Sequence, residues 1–118
     1  MTKQISETRN VNIRHDLPKE IMNKLPDLYK RMEGWLGFGD GTNGMNGIPY
    51  WYSFDEEQAF ISASIEPSGL QFLVNNIDEE KWNLWLLRFK KEATEILGFK
   101  VGETELGEVS STIEWITL

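Results

Sequence analysis

Residues Asp78–Gly98, DEEKWNLWLLRFKKEATEILG, decide the fold. Trp82, Trp85, Leu86, Phe89, Ala93, Ile96 and Leu97 recur at helical spacing and form one apolar stripe. Asp78 is placed to cap the first turn, and Glu79 and Glu80 sit at the positive end of the helix dipole. Ile77 and Trp82 occupy the two positions of a hydrophobic staple. Gly98 follows the last apolar residue, where a left-handed residue ends a helix. The spacing predicts one long helix with both tryptophans in the core.

Upstream of this helix the period changes to two. Tyr50, Tyr52 and Phe54 alternate with Trp51 and Ser53. Ala59, Ile61, Ala63 and Ile65 alternate with Phe60, Ser62, Ser64 and Glu66, and Leu70, Phe72 and Val74 with Gln71, Leu73 and Asn75. Between the last two runs stands Glu66-Pro67-Ser68-Gly69, a hairpin turn with proline and glycine in suitable positions. Three strands in an antiparallel meander are expected.

Further upstream, Leu17, Ile21, Leu25, Leu28 and Met32 keep near-helical spacing after Asp16, which is read as a cap. Pro26 interrupts this pattern, so a kink or two short helices meeting at Leu25-Pro26 is expected. The first ten residues read as a loose arm or an edge strand. Six glycines between positions 34 and 47 read as a loop, and Thr112–Thr117 as a final strand. The predicted architecture is one α+β domain over residues 1–118. An antiparallel β-meander and a C-terminal strand are packed by one long helix and an N-terminal, proline-interrupted helix.

Composition narrows the function. The chain has 118 residues, fourteen of them aromatic, enough apolar area for one core. It contains no cysteine, which excludes disulfides, thiolate metal sites and cysteine nucleophiles. The opening MTKQISETRNVNIRH lacks the apolar region of a secretory signal, and no apolar run approaches the roughly 18 residues of a membrane span. A cytoplasmic location, with no membrane partner, is expected. Residues 1–31 carry +3 and the remainder −10, giving −7 in all. Such a body repels nucleic acid and attracts basic partners.

No motif names a reaction. The lone histidine, His15, has no nucleophile elbow to serve. Gly39–Gly44 spells G-x-G-x-x-G, yet it follows a helical pattern and precedes strand-like residues, the reverse of a phosphate cradle. Counted from Asp40 as an EF-hand loop, the twelfth position is Trp51 rather than Glu. No cofactor or metal is implied, and a non-enzymatic binding role is expected. Three segments remain as candidate sites. Glu103, Glu105 and Glu108 crowd a glycine-flanked run, and Asp55, Glu56 and Glu57 lie between two strands; either set suits a basic partner. Tyr50 and Trp51 beside the glycine loop suit stacking on a small ligand.

With LGFKVGETELGEV (Leu97–Val109) following its tryptophan-rich helix, this acidic, cysteine-free chain resembles bacterial immunity proteins of polymorphic and contact-dependent toxin systems. Leu25-Pro26-Asp27-Leu28-Tyr29 followed by Gly34 resembles the opening of one such superfamily, from whose pattern the six loop glycines depart. The resemblance implies stoichiometric inhibition of a cognate toxin, a basic protein partner with nucleases among the candidates. It carries over no functional residue. A small-ligand binding module and an enzyme of another type remain as alternative expectations.

Overall fold

The helix read from Asp78–Gly98 is the longest element of the computed structural model, which describes residues 3–39 and 47–116. In chain order the elements are β1 (Gln4–Val11), α1 (Lys19–Met22), α2 (Leu25–Lys30), β2 (Trp35–Phe38), β3 (Pro49–Trp51), β4 (Phe60–Glu66), β5 (Gly69–Asp78), α3 (Glu79–Leu97) and a 3₁₀ turn, η1 (Thr104–Leu106). The strands form one antiparallel sheet in the order β1-β5-β4-β3-β2. Strands β2 to β5 are a meander; β1 returns to lie beside β5. The fold is α+β, as expected.

The signals around α3 act as read. The Asp78 carboxylate accepts from the Lys81 amide at 3.0 Å, and Gly98 takes a left-handed conformation, φ 83°. Ile77, Trp82, Trp85, Leu86, Phe89, Ala93 and Leu97 are buried. Their partners are Val11, Leu70, Phe72, Val74, Ile61, Ala63 and Trp51 from the sheet. Phe72 lies at the centre of this core. Phe89, Trp85 and Trp82 meet it edge-on, with ring centres 4.8, 5.5 and 6.0 Å away. The indole N–H groups stay satisfied inside: Trp51 donates to the Tyr29 carbonyl, Trp85 to the Glu33 carbonyl and Trp82 to the Glu7 carboxylate.

Proline divides the N-terminal helical pattern as expected. Pro26 stands in the first turn of α2, where its missing N–H costs nothing, and α1 ends before it. The cap differs from expectation. Asp16 pairs with Arg14, Nε to Oδ1 3.2 Å, and α1 starts three residues later, behind Pro18. Leu25, Leu28, Tyr29 and Met32 are buried.

Of the two expectations for the first ten residues, the edge strand holds: from Gln4 on, β1 runs the length of β5 at the rim of the sheet. Two further elements correct the sequence reading. Part of the glycine-rich segment is a strand. β2 pairs with β3, and Trp35 packs on Tyr29, Phe38 and Trp51. The G-x-G-x-x-G and EF-hand readings fall mostly on residues 40–46, outside the described residues. The C-terminal strand is reduced to a bridge between Phe99 and Trp115, secured by Lys100 N–H to Glu114 O and Ile116 N–H to Gly98 O. It stands apart from the sheet, and Thr117 lies outside the described residues.

The Pro67-Ser68 hairpin forms as read, with Glu66 opposite Gly69. Gly69 has φ 127°, and a Cβ there would collide with the Val11 carbonyl oxygen. Glycine is therefore needed for β1 to lie against the end of β5.

Candidate functional site

Pairing register sorts the side chains into two faces, because directly opposed residues point the same way. Glu7 lies opposite Val74 and Arg9 opposite Phe72, so both charged residues point toward the α3 layer. There they meet the acidic run after α3. The Glu103 carboxylate takes two hydrogen bonds from Arg9, one of them Nη2 to Oε2 at 2.6 Å, and a third from Lys90 Nζ at 2.6 Å. Arg9 also donates to Glu7 at 3.0 Å, and Lys90 to Glu108 Oε2 at 3.1 Å. The other Glu108 contact closes the turn, its Oε1 accepting the Glu103 amide at 2.9 Å. Glu103 is only 3% exposed.

This network has clear electrostatics. Burial opposes ionisation of Glu103, but the hydrogen bonds from Arg9 and Lys90 outweigh it and hold its pKa below the usual carboxylate value. Burial likewise opposes ionisation of Glu108, and the Lys90 hydrogen bond and charge together with the Glu103 amide outweigh it, so its pKa is lowered as well. The bond to Glu103 raises the Arg9 pKa further. The network joins β1, α3 and η1, and its charges are satisfied within the fold. The expected partner-binding trio is thus split. Glu103 is an interior bridge rather than a displayed acid. Glu108 is exposed but engaged by Lys90. Glu105 is exposed and lines a pocket of about 300 Å³ with Asn10, Asn12 and Arg14.

Asp55, Glu56 and Glu57 have a different setting. All three are exposed, on a loop between β3 and β4. The loop has a defined form. Asp55 N–H donates to the Ser53 hydroxyl at 2.9 Å, Glu57 N–H to Asp55 Oδ1 at 2.9 Å, and Gln58 N–H to the Asp55 carbonyl at 2.9 Å. Asn75, on β5, donates its side-chain amide to the Glu56 and Gln58 carbonyls. Tyr50 OH bonds the Glu56 carboxylate at 3.3 Å. Phe54 lies against Tyr50, ring centres 5.5 Å apart, and keeps 46% exposure. Asn75 pairs with Phe60, and Tyr50 with Ser62, so the loop folds over the sheet face opposite α3.

The start of this loop is strained. Tyr52 holds φ 76°, a conformation a bulky residue rarely adopts, at a cost of about 1–3 kcal/mol. Its surroundings enforce the geometry. The Tyr52 amide donates to the Gly34 carbonyl at 2.8 Å and its ring lies over Gly34, where a Cβ would be 2.7 Å from ring carbons. Tyr52 OH bonds Glu33 at 2.7 Å, and Lys81 Nζ stands 4.3 Å from the ring centre. Burial and the Glu33 carboxylate push the phenol pKa up.

The alternative stacking pair lies inside the protein. Trp51 is fully buried in the main core, and Tyr50 is 1% exposed beneath Phe54 and beside Phe60. Neither offers a ring face to a ligand. Sequence reasoning missed Arg9 and Lys90 as partners of Glu103, and Asn12 as the acceptor of the Gly102 amide; nothing local marks contacts such as Arg9 to Glu103, 94 residues apart. The exposure of Phe54 was equally hidden, since it shares an alternation with buried Tyr50.

Among the described residues no three His, Asp or Glu side chains come together to hold a metal ion. No helix among them is long and apolar enough to cross a membrane. Comparison of the chain with protein-family models, with curated proteins and with solved structures finds no match in any of the three.

Proposed function

We propose that the protein is a non-enzymatic binding protein that neutralises a cognate bacterial toxin by forming a stoichiometric complex in the cytoplasm. The Phe54–Glu57 loop is the contact surface, and the partner's docking surface is basic, as the substrate groove of a nuclease toxin would be. The observation that carries this reading is the combination in one ordered loop of three exposed carboxylates and a half-exposed aromatic ring. Carboxylates displayed this way steer a basic partner and speed capture. A ring beside them supplies an anchor that can be desolvated. Because the loop's backbone is already hydrogen-bonded, little ordering entropy opposes binding. Glu105 and Glu108 are exposed acids on η1 and after it; they belong to a secondary patch, and Glu103 serves to hold that patch in place.

The test pairs the chain with a toxin-like protein encoded beside it. Co-expression is expected to rescue cells that the toxin alone kills, with a one-to-one complex by calorimetry. Asp55→Lys together with Glu57→Lys is expected to weaken the complex at least about tenfold and to flatten its salt dependence. An unchanged affinity would reject the loop as the contact surface, and absence of any complex would reject the inhibitor reading.

A further inference from the structure

We infer that the outer face of α3 is a self-association surface, on which the α3 helix of a second copy docks antiparallel. Leu84 and Leu87 are the most exposed large apolar side chains described, at 61% and 63%. They sit near the middle of the helix, on the side directly away from the Trp82–Phe89 core stripe. Glu80 lies one turn before Leu84 and Lys91 one turn after Leu87, and the four residues form a single stripe along the helix. Glu80 and Lys91 are both exposed, and neither has an ion-pair partner among the described residues.

The order acid, leucine, leucine, base is self-complementary under one arrangement only. A two-fold axis between Trp85 and Leu86 sets Glu80 of one copy opposite Lys91 of the other, and the reverse, while the four leucines meet around the axis. A parallel arrangement would place Glu80 beside Glu80 and Lys91 beside Lys91. Charge therefore selects the antiparallel pair and sets its register. The helix stands as a ridge between two grooves, of about 570 Å³ toward the end of α2 and about 400 Å³ toward Lys100–Val101, so a facing ridge has room to settle. A contact of a few helical turns lies at the small end of specific interfaces, so the dimer is reversible and concentration-dependent. This surface lies on the helix layer, away from the Phe54–Glu57 loop, and does not depend on the toxin-binding reading.

Sedimentation velocity on the whole chain, from about 10 µM to about 1 mM, tests it. A shift from monomer to dimer within that range is expected. Glu80→Lys alone and Lys91→Glu alone are each expected to weaken dimerisation at least about tenfold, and the double swap to restore it to within about threefold. Leu84→Asp is expected to leave a monomer. All three substitutions, in four variants, are at exposed positions, and unchanged circular dichroism confirms that each variant is folded. A wild-type chain that stays monomeric throughout overturns the proposal and leaves the ridge to a partner of different sequence. A dimer that the single charge reversals leave untouched, or that the double swap fails to restore, overturns it as well.

Discussion

Two acidic segments of similar length have opposite fates. In the run from Glu103 to Glu108, the first carboxylate is taken into the protein, held by Arg9 and Lys90, and the last is tied back to Lys90 and to the Glu103 amide. In the run from Asp55 to Glu57, each carboxylate faces water, and the hydrogen bonds that order the segment come mainly from backbone and from Asn75. What separates them is the presence of partly buried cations. Arg9 and Lys90 approach the first run, and no Lys or Arg is ion-paired to the second among the described residues. A crowded group of acids is thus an interface candidate only where the fold leaves it unneutralised.

The contrast can be broken hardest at Glu103. Glu103→Ala removes the buried counter-charge that Arg9 and Lys90 share, leaving them only Glu7 and Glu108, and is expected to cost about 3–5 kcal/mol, read as a lowered urea midpoint. A loss under about 1 kcal/mol would place the network's charges effectively in solvent. Gly34→Ala attacks the anchor of the other segment. It sets a Cβ against the Tyr52 ring at a residue with φ 89°, for an expected loss of about 1–3 kcal/mol by thermal unfolding.

Acid acts on the first segment through its two carboxylates with lowered pKa. The Glu103 and Glu108 pKa values are lowered in the folded state, so their contribution is present above the unfolded value near 4.3 and is lost as pH falls through the folded values. Stability is expected to drop between about pH 5 and pH 2. Glu103→Gln, less stable at pH 7, should show a shallower drop over that window; parallel curves would assign the acid sensitivity elsewhere. At the small end, Glu57→Ala and Glu105→Ala are expected to shift stability by less than about 0.5 kcal/mol, since each side chain is exposed.

Much of the fold was legible because its signals are local. The α3 cap, staple and stop lie within or beside the helix they govern, and the Pro67-Ser68 turn joins the two strands it orders. β1 was legible only as one of two alternatives, an edge strand or a loose arm, for a physical reason. Its core-facing side reads Ile5, Glu7, Arg9, Val11, and two charges on a buried face hide the alternation that marks a strand. Those charges are acceptable only because Trp82 and Glu103 meet them, 75 and 94 residues away. β2 was hidden by Gly37 inside a run of glycines, where its pairing with β3 outweighs the flexibility of the chain. Thr112–Ile116 has strand-like alternation, yet Phe99 and Lys100 meet it first, and Ile113 finds cover without joining the sheet.

The candidate site was legible in part. The composition marked Asp55, Glu56 and Glu57, and the structure displays them; the same reasoning marked Glu103, which turns inward. Tyr50 and Trp51 show the limit from the apolar side. Adjacent residues on a strand point to opposite faces, yet both are covered here, one by the core and one by the Phe54 loop.

The Arg9–Glu103 bridge also sets an order of events during synthesis. β1 is made before β5, its hydrogen-bonding partner, which follows some sixty residues later, and Glu103, which holds Arg9 from across the fold, follows later still. Until β5 is made, β1 has no strand to pair with. A nascent chain halted before Glu103 would keep Arg9 with Glu7 alone and could not complete the bridge that ties β1 to the turn after α3.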